Sequence, residues 1–268
     1  MTDIGDDLSA LEALSVVRYD GIRFAREETF LIREVSLRVA YNQSHVMTIA
    51  CAGNNLDELA VGFLRSEGLL RSSADIERLT VFEKERKVEV QTVDHRPMKT
   101  GTDRGGGDLF SSGARSMVGG SRTGKKNLRH LAMTLDPQSI FRWMEELVGR
   151  SVLHNTSHGT HCSALGNRDG ILICREDIGR HNTIDMIGGY TLLNNVPCGD
   201  KILLTTGRIS SEMVHKVWNL GIPAIITRSA PTAEAIRVLD GAGMTLVGYV
   251  RNGAMNIYTN NERVAANL

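Results

Sequence analysis

The apolar and polar positions of the chain fall into segments of two periods. Thr29–Ala40 (TFLIREVSLRVA) shows the broken alternation of a half-buried strand, and Val46–Cys51 reads as a second, shorter one. The period then lengthens. Leu56, Leu59, Ala60, Phe63 and Leu64 share one face of a helix, with Asn55 as its N-cap, Glu58 completing a capping box and Gly68 stopping it. Leu79–Val93 holds two further strands around a charged turn. A second helix is expected from Asp136 and Pro137, with Ile140, Phe141, Met144, Leu147 and Val148 facing the core and Gly149 at its end.

Beyond position 160, strands and helices alternate. His161–Leu165 and Gly170–Cys174 predict a hairpin turning at Asn167–Asp169, followed by a helix with Asn182 as N-cap and Asp185 at its third position. A strand at Lys201–Thr205, a helix from Ser210 to Leu220, a strand at Pro223–Thr227, a helix from Thr232 to about Leu239 and a strand at Thr245–Val250 come next. Asn252-Gly253 predicts a tight turn into Met255–Tyr258. The alternation predicts an α/β fold with a partly parallel sheet covered by helices on both faces. Between the two halves, residues 100–126 are rich in Gly and Ser and dotted with Arg and Lys, too poor in apolar side chains to build a core of their own. The expected organisation is a tail over 1–26, a small α/β domain over 27–99, a flexible basic loop over 100–130 and a larger α/β domain over 131–268.

Composition narrows the function. Thirty-one basic side chains balance 31 acidic ones, so no bulk field points to nucleic acid or an anionic membrane. The apolar runs are strand-length, too short for a membrane span. The N-terminus is acidic where a secretion signal would be basic, which predicts a cytoplasmic protein. Cys51, Cys162, Cys174 and Cys198 form no CxxC pair, so neither a zinc ribbon nor a thioredoxin-type dithiol is expected.

The chemistry concentrates in REDIGRHNTIDMI, residues 175–187, where Arg175, Asp177, Arg180, His181 and Asn182 crowd the join between a strand and a helix. Guanidinium groups beside a helix start suit a polyanion; the bland alternative is a solvated polar connection. Two further strand-to-helix junctions repeat the theme. Thr206, Gly207 and Arg208 open one helix, and Ser229 with Thr232 opens the next. In such sheets ligands sit beyond the carboxyl ends of the strands, so the three junctions together predict a site for a phosphate-rich ligand.

REDIGRHNTID resembles the signature of the FdhD/NarQ family of formate dehydrogenase accessory proteins. NLDELAVGFLRSEGLL (55–70), TTGRISSE (205–212), SAPT (229–232) and LVGYVRNG (246–253) are similar to other blocks of that family in the same order, so the resemblance spans roughly residues 27 to 260. It implies a three-layer, cytidine-deaminase-like C-terminal domain with a mixed sheet. It implies a protein required for formate dehydrogenase activity, a sulfurtransferase that passes sulfur from a cysteine desulfurase to the bis-molybdopterin guanine dinucleotide cofactor, in its molybdenum or tungsten form, before insertion. The desulfurase, the formate dehydrogenase and a second copy of the chain are the implied partners. The cofactor-binding set then includes His161 and the stretch Tyr249, Val250, Arg251, Asn252, Gly253 and Ala254, where Tyr249 could stack on guanine and Arg251 hold a phosphate. No zinc is expected: His161-Cys162-Ser163 lacks the following Glu, and Pro197-Cys198 lacks the second Cys, that deaminase chemistry needs.

One departure matters. Where the family carries its loop cysteines, this chain has Ser112 and Arg115, and a serine cannot carry a persulfide. Cys162, beside His161, is the expected surrogate thiol, against the plainer reading of a buried strand cysteine. The alternative function is a cofactor-binding chaperone without sulfur transfer; hydrolysis of a guanine nucleotide remains a third.

Overall fold

The computed structural model describes residues 9–95, 110–111 and 127–264. The first sheet has the order β5-β6-β3-β4-β7, from Ile76–Phe82 (β5), Lys87–Thr92 (β6), Val35–Tyr41 (β3), Ser44–Cys51 (β4) and Phe110–Ser111 (β7). Helix α1, Leu56–Ser66, lays Leu59, Phe63 and Leu64 on it as its apolar period requires. Asn55 stands at the N-cap position, but with φ 48° and no capping hydrogen bond from its side chain. The predicted capping box is therefore absent, because the Glu58 carboxylate is drawn to Arg175 instead, at 2.5 and 2.7 Å.

The second sheet runs β13-β12-β11-β10-β8-β9. Its central strands Ile202–Thr205 (β10), Ala224–Thr227 (β11) and Thr245–Arg251 (β12) are parallel. His161–Asn167 (β8), Gly170–Asp177 (β9) and Ala254–Thr259 (β13) extend it antiparallel. Helices cover both faces, as expected. Pro137–Arg150 (α2), capped by Asp136, packs on one; Arg180–Leu193 (α4), Ser211–Leu220 (α5) and Ala233–Ala242 (α6) pack on the other. Asn252 and Gly253, at φ 53° and 71°, make the predicted hairpin turn.

Several boundaries differ from the sequence reading. Residues 11–26, expected in the tail, hold Leu11–Tyr19 (β1) and the start of Phe24–Ile32 (β2), an antiparallel hairpin standing apart from both sheets. Helix α2 runs through Gly149, and a short helix, Val152–Ser157 (α3), follows it. Helix α4 starts at Arg180 with Gly179 as N-cap, so Asn182 lies inside its first turn rather than capping it. Ser112 and Arg115 lie outside the described residues.

Helix α4 serves both halves. Met186 and Leu192 join the core beneath α1, while Ile184 and Ile187 join the core of the second sheet. The two helices meet almost backbone to backbone: a Cβ added to Gly62 would lie 1.7 Å from the Asp185 carbonyl oxygen, and one on Gly189 would lie 1.9 Å from that of Glu58. Around this crossing Arg65 donates to Gly188 O (2.9 Å) and Thr191 Oγ1 (2.8 Å). Ser66 and Lys216 both donate to Asp185.

Gly62→Ala should force the helices apart and cost at least about 3 kcal/mol, beyond the usual range for an added buried methyl because backbone cannot yield. Gly149→Ala, where a Cβ meets nothing within 4 Å, should instead stabilise by up to about 1 kcal/mol. Urea unfolding of both variants checks the contrast; equal effects would place the constraint elsewhere.

Candidate functional site

Topology brings the predicted junctions to one edge of the second sheet. Strands β10, β11 and β12 end there, β8 begins there and β9 ends there, because β8 is antiparallel to both of its neighbours. Buried hydroxyls fix the β10 junction. Ser163 Oγ contacts Thr183 Oγ1 at 2.7 Å and donates to Thr205 Oγ1 at 2.9 Å, which accepts from Gly207 N at 3.1 Å. Thr206 closes onto β8 through Cys162, its Oγ1 accepting from Cys162 N at 3.0 Å. Thr227 Oγ1 donates to Gly207 O at 2.7 Å, tying the β11 junction to the same loop.

The signature stretch divides its labour. Arg175, Asp177 and Asn182 are buried and satisfied within the protein, which corrects their assignment to ligand binding. Arg175 pairs with Glu58 and lies over the Tyr190 ring. Asp177 accepts from Ala52 N (2.8 Å), Gly179 N (2.8 Å) and Asn182 Nδ2 (2.6 Å), and Asn182 also donates to Ala50 O. These side chains bolt the first sheet to the second.

Arg180 and His181, in the first turn of α4, are different. Arg180 Nε and His181 Nε2 are buried without a hydrogen-bond partner. The Arg180 side chain lies against Gly207, where any Cβ would come within 3.1 Å of its own Cβ. His181 is 6% exposed, and the carboxylate of Glu212 stands 3.7 Å from its Nε2. Burial, then Lys216, Arg180 and His161, depress its pKa to about 4, so the ring is neutral at physiological pH. His161 is lowered too, by burial first and then by Arg180, His154 and Arg208, which shows how closely these cationic groups share one space.

The remaining predicted residues separate in the same way. Arg208, Tyr249 and Arg251 are exposed at the sheet edge, the Arg251 guanidinium 5.2 Å from the centre of the Tyr249 ring. Ser229 holds that segment by accepting the Tyr249 N–H at 3.1 Å. Thr232 is an N-cap for α6, Asn252 and Gly253 are the turn, Ala254 pairs with Arg251 across it, and Val250 is buried in the core beneath α2. Val250 is thus corrected to a packing residue. Cys162 has no exposed surface, and its thiol is pushed well above the usual range by the Cys174 side chain and by burial. As the accessible sulfur carrier expected from sequence it is corrected: it is a core thiol.

A cleft of about 480 Å³ opens beside this edge, lined by His154, His158, His161, Thr206 and Arg228 among others. Sequence reasoning missed His154, His158 and Arg228, although three histidines between positions 154 and 161 were a visible signal. Among the described residues no three His, Cys, Asp or Glu side chains converge as metal ligands.

A family model for the FdhD/NarQ family matches residues 32–265. The chain belongs to the FdhD/NarQ family. Relatives named sulfur carrier protein FdhD include that of Bacillus licheniformis, 33% identical over 93% of this chain and 95% of its own. That of Halalkalibacterium halodurans is 35% identical over 88% and 89%. A crystal structure described as a formate dehydrogenase accessory protein, from Desulfotalea psychrophila, shares the fold with a TM-score of 0.77 over 95% of this chain and 99% of its own, at 22% identity. No helix among the described residues of this FdhD/NarQ member is long and apolar enough to cross a membrane.

The depressed His181 pKa sets a pH dependence. Unfolded, the ring takes up a proton near pH 6.5; folded, only near 4, so its contribution to stability is present above 6.5 and lost as pH falls towards 4. Between pH 7 and 4.5 the protein should lose about 2–3 kcal/mol more than His181→Gln does, read from denaturant unfolding. Parallel profiles would remove His181 as the cause.

Proposed function

We propose that this protein is a formate dehydrogenase accessory protein that carries sulfur from a cysteine desulfurase to the bis-molybdopterin guanine dinucleotide cofactor, in its molybdenum or tungsten form. The observation that carries the reading is the pair of buried, unpartnered nitrogens of Arg180 and His181 at the start of α4. Groups so placed are costly unless a ligand accepts from them, and a phosphate oxygen at a helix start is the acceptor best matched to both. Arg208 and Arg251 end at the same edge and suit further phosphates, and the exposed Tyr249 suits a guanine face. The donors thus fit a large polyphosphate; the cofactor is the client, and its metal supplies the site to which sulfur is delivered.

The name borne by the relatives, sulfur carrier, favours sulfur transfer over carriage of the cofactor alone. Formate dehydrogenase and a cysteine desulfurase are the proposed partners, a homodimer the proposed assembly and the cytoplasm the proposed location. The C-terminal layering, a mixed sheet with helices on both faces, supports a cytidine-deaminase-like description.

Calorimetry with GDP tests the pocket. Arg180→Ala and Arg251→Ala should each weaken binding by about tenfold to a hundredfold, the loss of one charge-assisted hydrogen bond. Unchanged affinity in both variants would sink the site.

A further inference from the structure

The β8–β9 hairpin brings two cysteines together. Cys162 lies opposite Glu176 and Ala164 lies opposite Cys174, so the two thiols are diagonal neighbours on the face that α2 covers. They are not equivalent. Cys162 is fully enclosed, whereas Cys174, on the outermost strand of the sheet, keeps contact with solvent. Each is the strongest influence on the other's ionisation: the Cys162 side chain lowers the pKa of the Cys174 thiol, while Cys174 and then burial push the Cys162 thiol up and keep it protonated. Arg150 of α2 adds favourable charge at Cys174, opposed by burial and by Glu146 and Glu176. Ser151, which lowers the pKa of the Cys162 thiol, and His161, the neighbour of Cys162 in sequence, both line the cleft. Cys162 therefore adjoins residues of the histidine-lined cleft, with Cys174 diagonal to it across the hairpin.

We propose that Cys174 is the sulfur-accepting nucleophile of this protein, with Cys162 as its buried diagonal neighbour. The inference rests on the sulfur-carrier reading and names the atom that does the carrying. The Cys174 thiolate attacks the terminal sulfur of a donor persulfide, R–S–SH. A Cys174 Sγ–S bond forms as the donor's S–S bond breaks, the electron pair leaves with the donor as R–S⁻, and the proton stays on the transferred sulfur. Cys174–S–SH results with no net oxidation or reduction. Cys162 cannot make that attack, because no donor reaches it without opening the sheet. Its part is that of a protonated neighbour that favours the thiolate at Cys174.

The test loads the full-length protein with sulfur from two independent sources, a cysteine desulfurase with labelled cysteine and inorganic polysulfide, and maps it by mass spectrometry. Added sulfur should sit on Cys174, vanish in Cys174→Ser and persist in Cys51→Ala and Cys198→Ala, with circular dichroism confirming folded variants. In Cys162→Ala the alkylation midpoint of Cys174 should rise by about one pH unit, a tenfold loss of thiolate at fixed pH. Sulfur on Cys51, Cys162 or Cys198 with Cys174 bare would overturn this assignment and leave sulfur carriage standing. No sulfur on any cysteine from either source would overturn both. An unmoved midpoint would remove Cys162 from the site. Should Cys174→Ser fail to fold, the mapped position in the unaltered protein decides alone.

Discussion

The near-contact of backbones where α1 crosses α4 is the constraint from which the rest of the structure follows. Glycine at positions 62 and 189 lets the helices approach until each carbonyl faces the other's main chain. At that separation α4 can be shared, with one side in each hydrophobic core. Its polar neighbours are then buried by necessity and must find partners across the join, which is why Glu58, Arg65 and Ser66 of α1 meet Arg175, Gly188, Thr191 and Asp185. Removing one partner of such a buried pair costs about 3–5 kcal/mol, because the survivor is a charge without water.

The same helix begins at the sheet edge where the three junctions meet. Its first turn supplies Arg180 and His181, and its second and third turns anchor the first sheet. The site is thus built at the end of the most enclosed helix among the described residues, with the β10 loop locked against it by Ser163, Thr183 and Thr205. Burial explains the neutral His181 as well as the two orphaned nitrogens: the interior that fixes their position also removes the water that would otherwise satisfy them.

Local patterns in the sequence located nearly every element of the two sheets, because a period of two or 3.6 records which face of a segment is dry. What failed were inferences about charged and polar partners. Asn55 and Glu58 have capping-box spacing, yet Glu58 is taken by an arginine 117 positions away. Asn182 looks like a cap and is instead tied to Asp177 and Ala50. Three polar side chains of the signature, Arg175, Asp177 and Asn182, were legible as a polyanion site and turn out to neutralise or satisfy neighbours, a distinction that depends on tertiary contacts alone. The β1–β2 hairpin escaped notice for the opposite reason. Its side chains, Val17, Ile22 and Phe24 among them, are largely exposed, so burial imposes no clean alternation on it.

The placement of the cationic groups also sorts them by freedom. His181 is buried and Arg180 half-buried against Gly207, so part of their conformational freedom is already lost at folding. Arg208, Arg228 and Arg251 are exposed long side chains that still sample many rotamers. Immobilising each on a phosphate costs about 0.5–1.5 kcal/mol, a cost smaller for the buried His181. On the phosphate-ligand reading proposed above, the inner pair would set where the first phosphate settles, and the exposed arginines would adapt around it. One edge of the sheet accordingly combines a rigid template with a pliable rim, which suits a ligand having one invariant end and several ways to extend from it.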